Sequence, residues 1–437
     1  MIRDELVMVC HCDIAGQTRG KGFPVKHLEA RLASGIGWTP TNIMLTSFGP
    51  IAEGPWGPFG DLILRPDPAT EVRVDFEDGS AVEHFFLGDL LETDGSPWDC
   101  CPREFLRRAL DALESETGLG LLASFEQEFT YFGAQERLGS AYNLDAIRRH
   151  GSFAEVFLAA LGAAGLACDS YLPEYGPRQY EVTLEPAQGV APADHAVILR
   201  ELARATAQRL GERISFSPAV TPEVVGNGVH VHMSLLDRDG NPAAYDPEAP
   251  HGLSRKAGAF IAGILRHAPA LCALTAPSVI SYLRLVPHRW SAAWSNLGYR
   301  DREAMVRICP VNEISRRDPA RQFNFEYRAA DAAANPYLAL GAIVRAGLEG
   351  LRRELPTPEV TRADPETLPE AERARHGVAR LPQSLEQALN ALESDAAACG
   401  WFPAPLLDAY LRHKRAEIEI MAGLERDQRC ARYAEAY

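Results

Sequence analysis

The chain has 437 residues, 46% hydrophobic and 24% charged, a globular composition on a length that suits two or three domains and excludes a disordered or fibrous protein. Forty-four Lys and Arg against 59 Asp and Glu leave a net charge of −15, the wrong sign for gripping nucleic acid by its phosphates. Neither Val156 to Cys168, too short, nor Ala259 to Ala276, interrupted by Arg266 and His267, is expected to span a bilayer, and the N-terminal MIRDELVMVC does not read as a secretion signal.

Residues 1 to about 95 read as a β-rich unit. Short β-favouring runs lie at Val7 to Cys12, Asp61 to Leu64, Glu71 to Phe76 and Ala81 to Leu87, with a helix-like stretch from Lys26 to Ser34 and a Gly- and Pro-rich ordered loop from Gly49 to Gly60. Pro102 then opens a helix with apolar residues at Phe105, Leu106, Ala109, Leu110 and Leu113, so the domain boundary falls just before it, dividing the chain into 1–96 and 97–437. Beyond Leu119, strand candidates (Leu121 to Phe132, Tyr180 to Leu184, Val229 to Leu236, Gln322 to Ala329) alternate with helix candidates (Ser152 to Ala164, Ala193 to Leu210, Ser254 to Leu274, Asn335 to Leu355, Leu385 to Glu393). Pro356 to Pro382 is expected to be an exposed loop. The nine cysteines, odd in number and without a C-x2-C pair, suit a reduced cytoplasm. No internal repeat and no G-x-x-x-x-G-K phosphate loop is present.

The chemistry lies on the strands. A period of two puts Glu126 and Glu128 on one face and Phe125 and Phe129 on the other. Glu181, Glu326 with Arg328, and His230 with His232 are likewise set in strands whose other face is largely apolar, and Glu174 lies just upstream of one of them. For any one fragment a solvated strand face is the plain alternative. If these strands line one cavity, five carboxylates converge, and each like-charged pair at about 4 Å costs roughly 1 to 4 kcal/mol unless a cation sits among them. Oxygen ligands with few imidazoles suit Mg2+ or Mn2+ better than zinc. Hard ions beside Arg284, Arg302, Arg307 and Arg328 imply phosphoryl chemistry.

These residues resemble the ordered motifs of the glutamine synthetase family. The resemblance rests on Glu126-x-Glu128, Gly176-Pro177 with Gln179-Tyr180-Glu181, Gly226-x-Gly228-x-His230-x-His232-x-Ser234, Ser281-Tyr282-x-Arg284-Leu285, Glu326-x-Arg328 and Asn335-Pro336-Tyr337-Leu338. It extends upstream to Asp13-x-x-Gly16-x-x-Arg19-Gly20-Lys21 and to Asp61, Pro66-Asp67 and Thr70, and so covers nearly the whole chain. It implies an α+β protein: an N-terminal β-grasp domain followed by a catalytic α/β domain whose curved antiparallel sheet forms a funnel for ATP and glutamate. Glu128, Glu174 and Glu181 would hold one divalent ion, and Glu126, His230 and Glu326 a second. His232, Ser234 and Arg307 would serve the nucleotide, with Gly226 and Arg284 binding glutamate. Arg328 would face the γ-carboxylate and Arg302 the transferring phosphoryl group. Members assemble as stacked hexameric rings, with Asp13 reaching a neighbouring subunit's active site.

The chain departs from the family at the flap, whose motif S-Y-x-R-L-x-P-G-x-E-A-P carries a Glu that helps bind ammonium and takes its proton. Here the stretch runs from Ser281 through Pro287, His288 and Arg289 to Trp290, and Trp290 stands at the Glu position. The family's Asn before Gly-Ser-Gly is Val225, although Asn227 sits within the loop. An indole supplies neither anion nor base but offers a stacking face and cation–π attraction, so the expected acceptor is an organic amine. The alternatives are ammonia as acceptor, with Trp290 merely packing the flap, and a catalytically silent scaffold. The filled metal positions argue against the scaffold. No N-L-Y adenylylation motif follows Asn335.

Overall fold

The computed structural model describes residues 2–314 and 316–437. The first sheet comprises β1 (Leu6–Cys12), β2 (Thr18–Pro24), β3 (Ile36–Trp38), β4 (Leu62–Pro66), β5 (Val72–Val74) and β6 (Glu83–Leu91), ordered β2-β1-β6-β4-β3 with β5 on β6. β1 and β6 run parallel, and the helix Leu28–Ser34 follows the β1–β2 hairpin, the expected grasp-like arrangement. Each strand the sequence suggested in this region is present; β2 and the three-residue β3 are additions, Gly20 and Gly22 having masked the pattern of β2. The loop before β4 is irregular but anchored, Trp56 packing at 5.3 Å on Trp98.

The second sheet is built from β7 (Gly120–Tyr131), β8 (Cys168–Pro173), β9 (Gln179–Leu184), β10 (Ala187–Gln188), β11 (Ile214–Ser215), β12 (Val229–Leu236), β13 (Leu297–Tyr299), β14 (Val306–Ile308), β15 (Phe325–Ala330) and β16 (Val360–Thr361), in the order β16-β13-β14-β15-β12-β7-β9-β8. From β14 to β8 it is antiparallel, as expected; at the β16 edge it is mixed, because β13 pairs parallel with both β14 and β16. The back of β7 packs on the helix Ala191–Arg209, where Arg200 Nε donates to Gln127 Oε1 at 2.7 Å and Gln127 Nε2 to the Ala196 carbonyl at 3.2 Å. That packing turns Glu126 and Glu128 to the opposite face.

Three expectations need correction. Ser254 to Leu274 is not one helix but two, Arg255–Arg266 and Ala268–Thr275, bent by 78°. Pro269, in the first turn of the second helix, has no N–H to continue the first. The strand expected from Gln322 begins only at Phe325, because Asp318 caps a short helix, Pro319–Gln322. Within the expected loop Pro356 to Pro382 lie β16 and the helix Glu370–Arg375, and Leu381 is buried. Among the described residues no single helix is long and apolar enough to cross a membrane. All nine cysteines are free thiols.

One guanidinium joins the sheets. Arg103, at the start of the helix Pro102–Thr117, is buried and donates to Asp67 at 2.6 Å and Asp89 at 3.1 Å on the first sheet's side, and to both oxygens of Asp194 at 2.9 Å on the helix behind β7. Arg103→Met would leave Asp67 and the buried Asp194 without their cation, Asp89 keeping only Arg107 at 3.1 Å; the expected loss is about 3–5 kcal/mol in urea unfolding.

His11 is fully buried, neither ring nitrogen has a hydrogen-bond partner among the described residues, and burial followed by the Arg19 charge lowers its pKa to about 4. Its folded value lies below the unfolded one, so the unfolded chain takes up the proton first and stability falls as pH drops from about 6.5 towards 4. Relative to His11→Leu, the parent should lose about 2 kcal/mol between pH 7 and 5. In NMR the His11 ring should show no titration above pH 5.5.

Candidate active site

The antiparallel register sets the polar groups against one another. Across β7 and β12, His230 lies opposite Glu126; across β7 and β9, Glu128 lies opposite Glu181; across β15, Glu326 lies opposite both His232 on β12 and Arg307 on β14. Directly opposed residues on one face are near enough for their side chains to touch. A bulge sets Arg328 and Ala329 of β15 against the single residue His230, a distortion characteristic of sheets beside active sites. The polar face lines a cavity of about 470 Å³, whose wall also includes Glu174, Gly226, Arg284, Trp290 and Arg302. A larger cavity of about 730 Å³ lies at the edge of the first sheet, but of the acids at its wall Glu5 is paired with Arg73 and His84, Glu83 with Arg209 and Glu201 with Arg204.

At one end of the smaller cavity, acids crowd together. Donor atoms of Glu126, Glu181 and His230 all lie within 4.8 Å of one another, and His230 Nδ1 is 2.5 Å from Glu126 Oε1. Burial, followed by the charges of Glu126, Glu128 and Glu174, pushes the Glu181 carboxyl far up. Burial also raises Glu128, to about 7, against the pull of Arg284 and the Gly228 amide. Burial and then Arg328 lower His230 to about 4, which keeps its imidazole neutral, the form that ligates metal. Several desolvated carboxylates that resist ionising together, beside a neutral imidazole, form a donor set that fits a hard divalent cation.

Glu326 behaves differently. It is almost fully buried, with Arg307 Nη1 at 3.0 Å and Arg328 Nη1 at 2.5 Å on one oxygen and His232 Nε2 at 2.9 Å from the other. Burial would raise its pKa, yet His232 and Arg328 hold it well below the carboxylate range. His232 is the counterpart: burial would lower it, and its bonds to Cys309, Glu126 and Glu326 raise it well above the usual imidazole value. The cavity thus has an acidic end and a cationic end, with Glu326 at the junction.

Arg284 is fully buried, its Nη2 donating to the Arg328 carbonyl at 3.2 Å, while Nη1 has no hydrogen-bond partner among the described residues. A buried cation with a spare donor at a cavity wall suits an anionic ligand. The two glycines of the 226–228 loop make room for it. A Cβ at Gly228 would stand 2.4 Å from Arg284 Nη2, and one at Gly226 would stand 2.0 Å from the Pro218 carbonyl. Asn227 ties the loop down, donating to Ser217 O at 2.9 Å and Thr130 Oγ1 at 3.2 Å.

Of the residues singled out in the sequence, the cavity wall gathers all but two. Asp13 is fully buried outside it, paired with Arg19 and accepting from the Gln17 amide at 2.9 Å. Ser234 lies further along β12, opposite Leu122. The close acid–imidazole group draws Glu181 from the first expected metal set and Glu126 with His230 from the second, while Glu326 is turned to the arginines. Two tyrosines of the wall had no sequence signal of their own: Tyr142, which donates to Glu174 Oε2 at 3.0 Å, and Tyr175. Gln179, a motif residue given no role by the sequence, donates through Nε2 to Glu128 at 2.8 Å and to Gly226 O at 3.1 Å.

Residues 99–433 match the model of the glutamine synthetase catalytic domain, and residues 2–98 that of the glutamine synthetase N-terminal domain. A gamma-glutamylpolyamine synthetase of Streptomyces coelicolor is 35% identical over 443 residues, covering 99% of this chain and 93% of that protein. A glutamine synthetase of Thermococcus kodakarensis is 30% identical over 401 residues, covering 90% of this chain and 85% of its own. Among solved structures, a novel glutamine synthase homolog matches with a TM-score of 0.92 at 45% identity, covering 100% of this chain and 99% of its own; a GmaS/ADP complex matches with 0.82 at 25%, covering 98% and 96%. Matched along nearly its whole length by both domain models and by relatives of similar extent, the chain belongs to the glutamine synthetase family and is an ATP-dependent ligase of that type.

Proposed function

We propose that the protein joins glutamate to an organic amine, forming a γ-glutamyl amide through a γ-glutamyl phosphate. The observation that carries this reading is Trp290: it lines the cavity, 58% exposed as a residue, and no residue of the flap from Pro287 to Ser291 brings a carboxylate to the wall. An ammonium-using site needs an anion and a base at that place; an indole face suits the hydrocarbon of an amine or the cation of an alkylammonium. The similarity to a gamma-glutamylpolyamine synthetase supports an amine acceptor.

In this reading Arg284 holds the α-carboxylate of glutamate with its spare Nη1, and Arg328 orients the γ-carboxylate. The γ-carboxylate attacks the terminal phosphorus of ATP and ADP departs, while Arg302, Arg307 and the cationic His232 balance the phosphate charge. The amine then attacks the activated carbonyl carbon, phosphate leaves, and the amine's proton passes to the surroundings. Arylamines arrive neutral; alkylammonium ions must first shed a proton. Glu126, Glu128, Glu174, Glu181, His230 and Glu326 would hold Mg2+ or Mn2+, which supplies charge neutralisation for ATP and for the crowded carboxylates. Ser234 would serve the nucleotide from outside the described cavity wall. The proposed assembly is stacked hexameric rings in a reduced cytoplasm. In such rings Asp13 could serve a neighbour's site only after its pair with Arg19 opens.

Two experiments test this. Phosphate release from ATP with glutamate and Mg2+ should be fast with some alkyl, polyamine or aryl amine and slow with ammonium; turnover with ammonium alone would defeat the reading, and no turnover at all would favour a scaffold. Trp290→Glu should raise kcat/KM for ammonium by roughly tenfold or more. For the metal site, Glu181→Gln removes both a ligand and a repulsion, so the two effects carry opposite signs. By calorimetry, Mn2+ binding should weaken by roughly tenfold or more, while the metal-free variant melts above the parent.

A further inference from the structure

The flap carrying Trp290 is held by more than its own turn. His288 and Trp290 both adopt positive φ, 60° and 55°, a conformation a branched or aromatic side chain enters only when its surroundings impose it. Glu303 supplies the constraint: Oε2 accepts from the His288 amide at 3.3 Å and Oε1 from the Trp290 amide at 3.1 Å. Glu303 is itself set by Asp301, whose Oδ1 accepts from its amide at 2.9 Å. From inside the active-site cavity, Arg328 Nη2 donates to the Trp290 carbonyl at 3.2 Å. One residue of the flap is therefore gripped on both sides, its N–H from without and its C=O from within. Glu303 does not belong to the active-site wall; it lines a separate cavity of about 480 Å³ behind the flap, together with Pro287 and Asp364.

We infer that Glu303 is a positioning residue, a two-pronged acceptor that clasps the flap shut and keeps water from the activated acid. This rests on the ligase reading above. Placed behind the flap with both oxygens engaged by main-chain donors, Glu303 is not the base that Trp290 displaced. Its role is to hold the indole across the cavity so that the amine, and not water, meets the γ-glutamyl phosphate. When the clasp loosens, the oxygen of water attacks the γ-carbonyl carbon and the bond from that carbon to the phosphate oxygen breaks. Phosphate leaves with the electron pair, the proton of water goes to solvent, and glutamate is regenerated. ATP is then spent without amide.

The test compares the parent with Glu303→Gln, which keeps one acceptor oxygen, and Glu303→Ala, which keeps none. Hydrogen exchange of the peptide covering residues 286–293, followed by mass spectrometry, reads the two amides directly. Exchange should quicken by about tenfold or more in Glu303→Ala and to an intermediate degree in Glu303→Gln. Phosphate released per amide formed, close to equality in the parent with its best amine, should rise roughly twofold or more in Glu303→Ala while the KM for glutamate stays unchanged. Unchanged exchange, or unchanged stoichiometry in a variant whose flap does exchange faster, overturns the inference. If no amine is accepted by any variant, the ligase reading and the water-excluding role fall together, and hydrogen exchange still decides whether Glu303 holds the flap.

Discussion

The constraint on which the structure depends is the repulsion among carboxylates gathered on one face of the second sheet. Glu126, Glu128, Glu174 and Glu181 share a small, largely dehydrated space, and neighbouring charge together with burial raises Glu128 and Glu181 against ionisation. Such a face is unstable by itself. It persists because the other face of the same strands, carrying Phe125, Phe129, Tyr180 and Val231, is buried in the main core, and because the antiparallel register leaves the acids no route apart. The core on one side thus maintains strain on the other, and a bound cation would release it.

Arginine completes the electrostatics. Glu326 is neutralised within the chain by Arg307 and Arg328, and it carries the imidazolium of His232 on its other oxygen. It therefore separates a cation-seeking end from an anion-seeking end within one cavity. The same Arg328 holds the Trp290 carbonyl, so flap position and charge distribution share a side chain. Arg284, buried with a donor unused among the described residues, adds a second anion contact at a place where a Cβ at Gly228 would collide with the guanidinium.

Much of this was legible in the sequence wherever a local rule coincided with a global one. Period two predicted that Glu126 and Glu128 share a face, and the structure puts them there because Phe125 and Phe129 have nowhere else to go. The ordered motifs placed His230, Glu326 and Arg328 in one site although distant in sequence. What could not be read depends on three-dimensional neighbours. The break at His267 needed Pro269 to outweigh a continuous apolar pattern. Asp13 carries the same letters whether it faces a neighbour or pairs inward with Arg19, and only the packing of the chain shows the latter. Glu303 looks like any loop acid until the strained amides of His288 and Trp290 are seen to converge on it.

Arg103 has a practical corollary. It belongs to the helix that opens the catalytic part, yet two of its three acid partners, Asp67 and Asp89, belong to the sheet before it. Cutting the polypeptide between residues 96 and 102 to express the halves separately would strand the guanidinium on one fragment and two of its carboxylates on the other. Each piece would then present a charged scar where the intact chain has a sealed joint, so anyone dissecting this enzyme into modules should expect fragments that need each other to stay in solution.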